Sequence, residues 1–287
     1  MRRGHFVAAV LGAVAGASSR AVANIPPILP DVELPAVFLG GRPFLRLTAA
    51  DGTRALVWLD TDGSGFVTET LVRRLNLSVT GKRAAVPIWR EQVPPPGGDG
   101  LLPILPANEN DPLLVGIDVQ FGGTWFAQRV WTIDYRNQQI VWHSTGIAAA
   151  SDAVNPVRLK FSDDRKLYPL VPVIVDGELI PMALDTAASV LRKPGDVTAT
   201  SFVTHDRFAR WHAKHPEWNT KQIAAGVDAI DVPDVRIANV EIGGVMFTTR
   251  PNDDVFEGED VAGKLGSNAL VARELILDYT RSVAAFD

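Results

Sequence analysis

The hydrophobic positions of this chain fall in short runs broken by turn signals, and one arrangement of them occurs twice. Pro43-Phe44-Leu45-Arg46-Leu47 precedes Asp51-Gly52 and then Ala55-Leu56-Val57-Trp58-Leu59-Asp60-Thr61. Later, Pro169-Leu170-Val171-Pro172-Val173-Ile174-Val175 precedes Asp176-Gly177 and then Ile180-Pro181-Met182-Ala183-Leu184-Asp185-Thr186. In each copy an extended segment meets an Asp-Gly turn and a second apolar segment closing on Leu-Asp-Thr. Asp-Gly between apolar runs predicts a β-hairpin. The frames agree, with nine positions from Asp51 to Asp60 and nine from Asp176 to Asp185.

The halves match again near their ends. Phe121-Gly122 leads through Trp125-Phe126-Ala127-Gln128-Arg129 to Ile133-Asp134-Tyr135, and Leu265-Gly266 leads through Ala269-Leu270-Val271-Ala272-Arg273 to Leu277-Asp278-Tyr279. Twelve positions separate glycine from aspartate in both. Two blocks matching in order at two places indicate an internal duplication. The small, polar segment 144–155 joins the copies and places a boundary near residue 150, with one unit over 24–150 and another over 151–287. Pro94-Pro95-Pro96-Gly97-Gly98-Asp99-Gly100 reads as an exposed loop. The longer insertion at 196–234 carries one amphipathic helix near 204–215, capped by Thr204 or Asp206.

Composition narrows the class. With 46% hydrophobic and 21% charged residues over 287 positions, the chain can bury a real core. Twenty prolines and 24 glycines suit many short strands and turns. A net charge of −5 and no basic stripe argue against a nucleic-acid partner. Basic Met1-Arg2-Arg3-Gly4-His5, an apolar stretch over 6–17 and Ala21-Val22-Ala23 have the layout of a signal peptide over 1–23, cleaved before Asn24. The paired arginines also suit a twin-arginine route. The chain is therefore expected to be exported, periplasmic or secreted, with no integral membrane segment after processing. Cysteine is absent, which excludes disulfides, thiol catalysis and thiolate metal sites.

The repeated Leu-Asp-Thr, the later apolar-Gly and the closing Ile-Asp-Tyr or Leu-Asp-Tyr resemble the lobes of retropepsin-like and pepsin-like aspartic proteases, two lobes in one chain, as in an exported bacterial-type homologue. The resemblance spans roughly 35–145 and 165–287. It implies an all-β, bilobal fold with pseudo-twofold barrel-like lobes and one or two short helices in each. It also implies a cleft with Asp60 and Asp185 at its floor, and Thr61 and Thr186 locking the two loops through hydroxyl-to-backbone hydrogen bonds. The implied activity is that of an exported aspartic endopeptidase. It would be monomeric and need no cofactor or metal, and it would take an extended peptide or protein segment along the cleft as an added strand. The chemistry needs two facing carboxylates around one water, one ionised to take a proton and one protonated to donate.

The motif departs from the family after each Asp-Thr. Asp62 and Ala187 stand where glycine is usual, followed by Gly63 and Ala188. Glycine there would permit a tight bend, which Ala tolerates poorly. Asp62 also adds a carboxylate that would raise one pKa of the pair or distort it. A register reading Gly63-Ser64 as the motif's Gly-Ser is the alternative. These changes motivate a second reading, a catalytically impaired descendant that binds or scaffolds peptides. A third, an unrelated β-sandwich binding module, requires the repeat to be coincidence. His205, His212 and His215 share one face of the expected helix and read as a solvated or packed face, with Trp211 and Trp218 as packing. Asp134 and Asp278, which end matched strands, read as structural.

Overall fold

The computed structural model describes residues 31–106, 113–144, 156–161, 168–193, 195–250 and 261–287. The expected leader, most of the 144–155 link and the boundary near residue 150 lie outside the described residues. What is described is overwhelmingly β.

Both expected hairpins form. Pro169–Val175 pairs antiparallel with Glu178–Asp185, and Val175 faces Glu178 across a two-residue turn. Asp176 and Gly177 have φ of 50° and 75°, the left-handed pair that matches a turn to the twist of its strands. Arg42–Thr48 pairs with Arg54–Leu59, but there Thr48 faces Arg54 across a longer loop. Asp51 accepts the Thr53 amide at 2.8 Å inside it. The same dipeptide closes both hairpins, by a two-residue turn in the second half and by a turn in which Ala49 accepts the Gly52 amide at 2.8 Å in the first.

From each hairpin the same topology grows. Arg54–Leu59 lies parallel to Val119–Phe121, with Val57 beside Val119 and Leu59 beside Phe121. Glu178–Asp185 lies parallel to Gly263–Gly266, with Ala183 beside Lys264 and Asp185 beside Gly266. On its other side Val119–Phe121 meets Phe66–Thr68 antiparallel, as Gly263–Gly266 meets Ser201–Thr204. Those strands in turn run parallel to Leu101–Leu105 and Val240–Arg250. Each half thus builds an eight-stranded sheet with the same central order.

A third, six-stranded sheet draws on both halves. Its centre is the antiparallel pair Val130–Asp134 and Glu274–Asp278. Asp134 accepts the Asn137 amide at 2.9 Å, and Asp278 accepts the Arg281 amide at 3.0 Å, so both aspartates close turns. This is the structural part expected of them. Beneath the first half, Phe121, Trp125, Phe126 and Trp131 cluster with ring centroids 4.2–5.4 Å apart, one pair stacked and the others tilted or edge-to-face.

Three helices accompany the described strands: α1 (Glu69–Leu75), α2 (Gly123–Phe126) and α3 (His205–Lys214). Thr68 and Thr204 cap α1 and α3, each hydroxyl accepting the amide three residues on. Trp211 is buried against Phe247, and His215 stacks on Trp218 while meeting Asp176 and Glu217, so this face packs and pairs as expected. The 94–100 segment is a loop, but a tethered one. Pro94 is buried, and its carbonyl takes the Trp125 indole N–H at 2.9 Å. No helix of the described residues is long and apolar enough to cross a membrane.

Candidate active site

Each aspartate leaves the end of its hairpin strand where the neighbouring parallel strand ends in glycine. Asp60 donates its amide to the Phe121 carbonyl at 2.9 Å, and Asp185 lies beside Gly266. The glycines are required by space. A Cβ on Gly122 would sit 2.0 Å from the Gly63 carbonyl oxygen, and one on Gly266 would sit 1.8 Å from that of Thr200. These close approaches bring the two Asp-Thr loops together at the junction of the halves.

There the threonines interlock. The Thr61 amide donates to Thr186 Oγ1 and the Thr186 amide to Thr61 Oγ1, both at 3.1 Å. The Thr61 hydroxyl donates to the Leu184 carbonyl at 2.5 Å, and the Thr186 hydroxyl to the Leu59 carbonyl at 2.9 Å. Both threonines are fully buried. Two of these four crossed bonds fix the residue before one aspartate to the residue after the other, and two join the threonines themselves.

The carboxylates are held in matching ways. Asp60 Oδ1 accepts the Asp62 amide at 3.0 Å, and Asp185 Oδ1 accepts the Ala187 amide at 2.9 Å. The Gly63 and Ala188 amides reach the Asp60 and Asp185 carbonyls, each at 3.3 Å. Asp62 and Ala187 therefore occupy equivalent places, and the alternative Gly63-Ser64 register is not the one adopted. Neither residue has a left-handed φ, so the bend needs no glycine and the expected strain at Ala187 is absent. The Ala187 methyl instead packs against Phe44 and Trp58. The position that does need glycine is 63. A Cβ there would fall 2.1 Å from Gln120 Nε2 and 2.3 Å from Asp60 Oδ2.

Two further side chains reach the pair, and neither was singled out from sequence. Gln120 Nε2 donates to Asp60 Oδ2 at 2.5 Å. Lys264 Nζ lies 2.5 Å from Asp62 Oδ2 and 3.4 Å from Asp185 Oδ2. Gln120-Phe121-Gly122 and Lys264-Leu265-Gly266 are the same place in the two copies, two residues before the repeated glycine. A polar residue in an otherwise apolar strand, at matched positions, was the available signal.

Burial raises Asp60 well above the ordinary carboxylate range, and the charges of Asp185 and Asp62 raise it further, while Lys264 opposes them. Its side chain keeps a partial opening to solvent although protein surrounds it densely. Burial alone would lower the Lys264 ammonium. The charges of Asp185 and Asp62 outweigh that and hold it protonated. Asp62 does point inward, as its expected effect on the pair requires, but it arrives with a counter-ion. Nearby, Tyr135 and Ser267 hydroxyls meet at 2.9 Å, and Ser267 donates to the Thr186 carbonyl at 2.7 Å. In the first half Gly123 stands where Ser267 stands in the second, and the buried Tyr279 hydroxyl has no hydrogen-bond partner among the described residues.

No protein-family model matches this sequence, and no curated protein does. Solved structures do match its shape. The aspartic proteinase from Irpex lacteus superposes with a TM-score of 0.53 at 10% identity, covering 90% of this chain and 97% of that one. The fold is pepsin-like. Conglutin gamma, a basic 7S globulin from lupine seeds, superposes with a TM-score of 0.51 at 11% identity, covering 90% of this chain and 94% of its own. A proteinase and a seed globulin share this pepsin-like architecture, so what the chain does must be argued from its own carboxylates.

Proposed function

We propose that this chain is an aspartic endopeptidase in which Asp60 and Asp185 activate one water against an extended peptide. The crossed threonine lock carries the reading. Four bonds are spent on holding two acidic loops in register, although two neighbouring carboxylates repel and are costly to bury. A fold keeps such an arrangement where the proton-sharing pair has work to do. The enzyme would act as an exported monomer, periplasmic or secreted, with the peptide bound as an added strand.

The test is hydrolysis of denatured protein substrates across pH 3–7 by the purified chain, with and without a statine-type inhibitor. Cleavage should disappear in Asp60→Asn and in Asp185→Asn. Retained cleavage in either variant overturns the assignment.

One observation favours the second reading, a peptide-binding descendant without turnover. Gln120 and Lys264 approach the outer oxygens of both aspartates, where a reacting water would need access. That reading expects the wild-type chain to bind extended peptides and release them uncut.

A further inference from the structure

We infer that Lys264 polarises the carboxylate pair, making Asp185 the ionised base and Asp60 the protonated acid, with Gln120 positioning Asp60 from the opposite side. This rests on the peptidase reading for its chemistry, though not for its charge arrangement.

The pseudo-twofold symmetry of the site is nearly complete in its backbone and broken in its charges. Both Oδ1 atoms take an amide from two residues on. Across the two Oδ2 atoms the halves differ. Asp60 Oδ2 meets the neutral Gln120 amide at 2.5 Å, and Asp185 Oδ2 meets the Lys264 ammonium at 3.4 Å. A cation at that range favours the charged form of the carboxylate beside it, and a neutral amide does so less.

The strand pairing leaves the lysine room. Trp58 lies beside Gln120 in the first half, where Ala183 lies beside Lys264 in the second. Asp62 receives the same ammonium at 2.5 Å and keeps it anchored. The titratable and charged groups facing the pair are Asp62, Lys264 and the phenols of Tyr135 and Tyr279, which feel Asp185 and Asp62 respectively. With one proton left on Asp60, the ammonium faces two charged carboxylates, the two it contacts, rather than three. The upward displacement of Asp60 by burial and by both neighbouring carboxylates agrees with it.

In the reaction Asp185 takes one proton from water as the water oxygen bonds to the peptide carbonyl carbon. The carbonyl π pair moves onto oxygen, which takes the Asp60 proton. In the second step Asp185 returns its proton to the amide nitrogen as the C–N bond breaks, and Asp60 recovers a proton from the diol. Lys264 is a positioning residue throughout and exchanges nothing.

The experiment is a carbon-13 NMR titration of the side-chain carboxyls in the full chain, with aspartate labelled at Cγ. Asp60→Asn and Asp185→Asn assign the two resonances, and kcat/KM is followed against pH in parallel. The last proton to leave the wild-type pair should belong to the resonance lost in Asp60→Asn. In Lys264→Met both titration steps should move to higher pH by about one pH unit or more, because an opposite charge that favoured ionisation is gone. Lys264→Arg should stay near wild type. Lys264→Gln repeats the measurement should the methionine variant not fold. A Lys264→Met titration that superimposes on wild type, or a last proton residing on Asp185, overturns the inference. The NMR readout needs no turnover, so the two claims fail separately. A chain that titrates as described and cuts nothing removes the peptidase reading alone, and one that cuts peptides with an unmoved titration removes this inference alone.

Discussion

Thr61 and Thr186 hold each other across the two halves of the chain. Each amide donates to the other's hydroxyl oxygen, and each hydroxyl donates to the carbonyl just before the other's aspartate. Neither loop has its geometry without the other. Thr186→Val therefore strands the Thr61 amide and the Leu59 carbonyl in a buried place, at about 1–3 kcal/mol for each. Thr186→Ser, which keeps the hydroxyl, should lose much less. Denaturant-induced unfolding of the two variants measures the difference, and equal losses would show that the methyl rather than the hydroxyl matters.

Asp60 makes the fold's stability depend on pH. Its folded-state carboxyl lies above the ordinary range, so the folded protein keeps a proton that the unfolded chain has already released. Stability is full below the ordinary carboxylate range and declines as pH rises from about 4. Asp60→Asn removes that penalty, though it keeps an acceptor for only one of the two N–H groups, from Asp62 and Gln120, that the carboxyl takes. It should be more stable than wild type at pH 7, with the advantage vanishing near pH 4. Thermal unfolding of both proteins across that range checks the slope.

Asp62 bears on the same proton with the opposite sign to Lys264. Its charge helps to raise Asp60. In Asp62→Asn that push is lost, and the Lys264 ammonium acts on the pair alone. The alkaline limb of the kcat/KM profile should then fall at a pH lower by about one unit. An unmoved or more alkaline limb would show that Asp62 serves only to seat the lysine.

Gly63 is demanded by its neighbours. Its φ is not left-handed, yet a Cβ would collide with Gln120 Nε2 and with the Asp60 carboxylate. Gly63→Ala must displace one of them. We expect a stability loss of about 1–3 kcal/mol from the overpacking. Displacing Asp60 should lower kcat/KM on the order of 10²-fold, the cost of a misplaced reacting group. Gln120→Ala in the same background relieves one contact and should recover part of the stability.

Much of this was legible from residue order alone. The Asp-Gly turns, the Leu-Asp-Thr endings and the cap at Thr204 are rules of the local backbone, and residues a few positions apart carry them. Repetition in matched frames then turned two weak motifs into one pair, Asp60 with Asp185 and Thr61 with Thr186. The departures at Asp62 and Ala187 are visible there too, and the inward Asp62 carboxylate agrees with its expected effect on the pair, whereas Ala187 lacks the expected strain. A glycine preference was expected from backbone bending, and the bend here lies within ordinary φ.

What residue order determined was the duplicated scaffold and the four residues at its centre, because strand, turn and cap preferences act over short spans. The occupants of the outer carboxylate oxygens were decided by tertiary structure alone. Gln120 and Lys264 sit at matched positions, but whether a strand side chain faces a carboxylate depends on register and on the residue beside it. Trp58 stands beside one and Ala183 beside the other. Only the folded packing sets that difference. It gave Asp60 a neutral donor, and it brought a half-buried ammonium to Asp185 and Asp62 because three crowded carboxylates need a counter-charge.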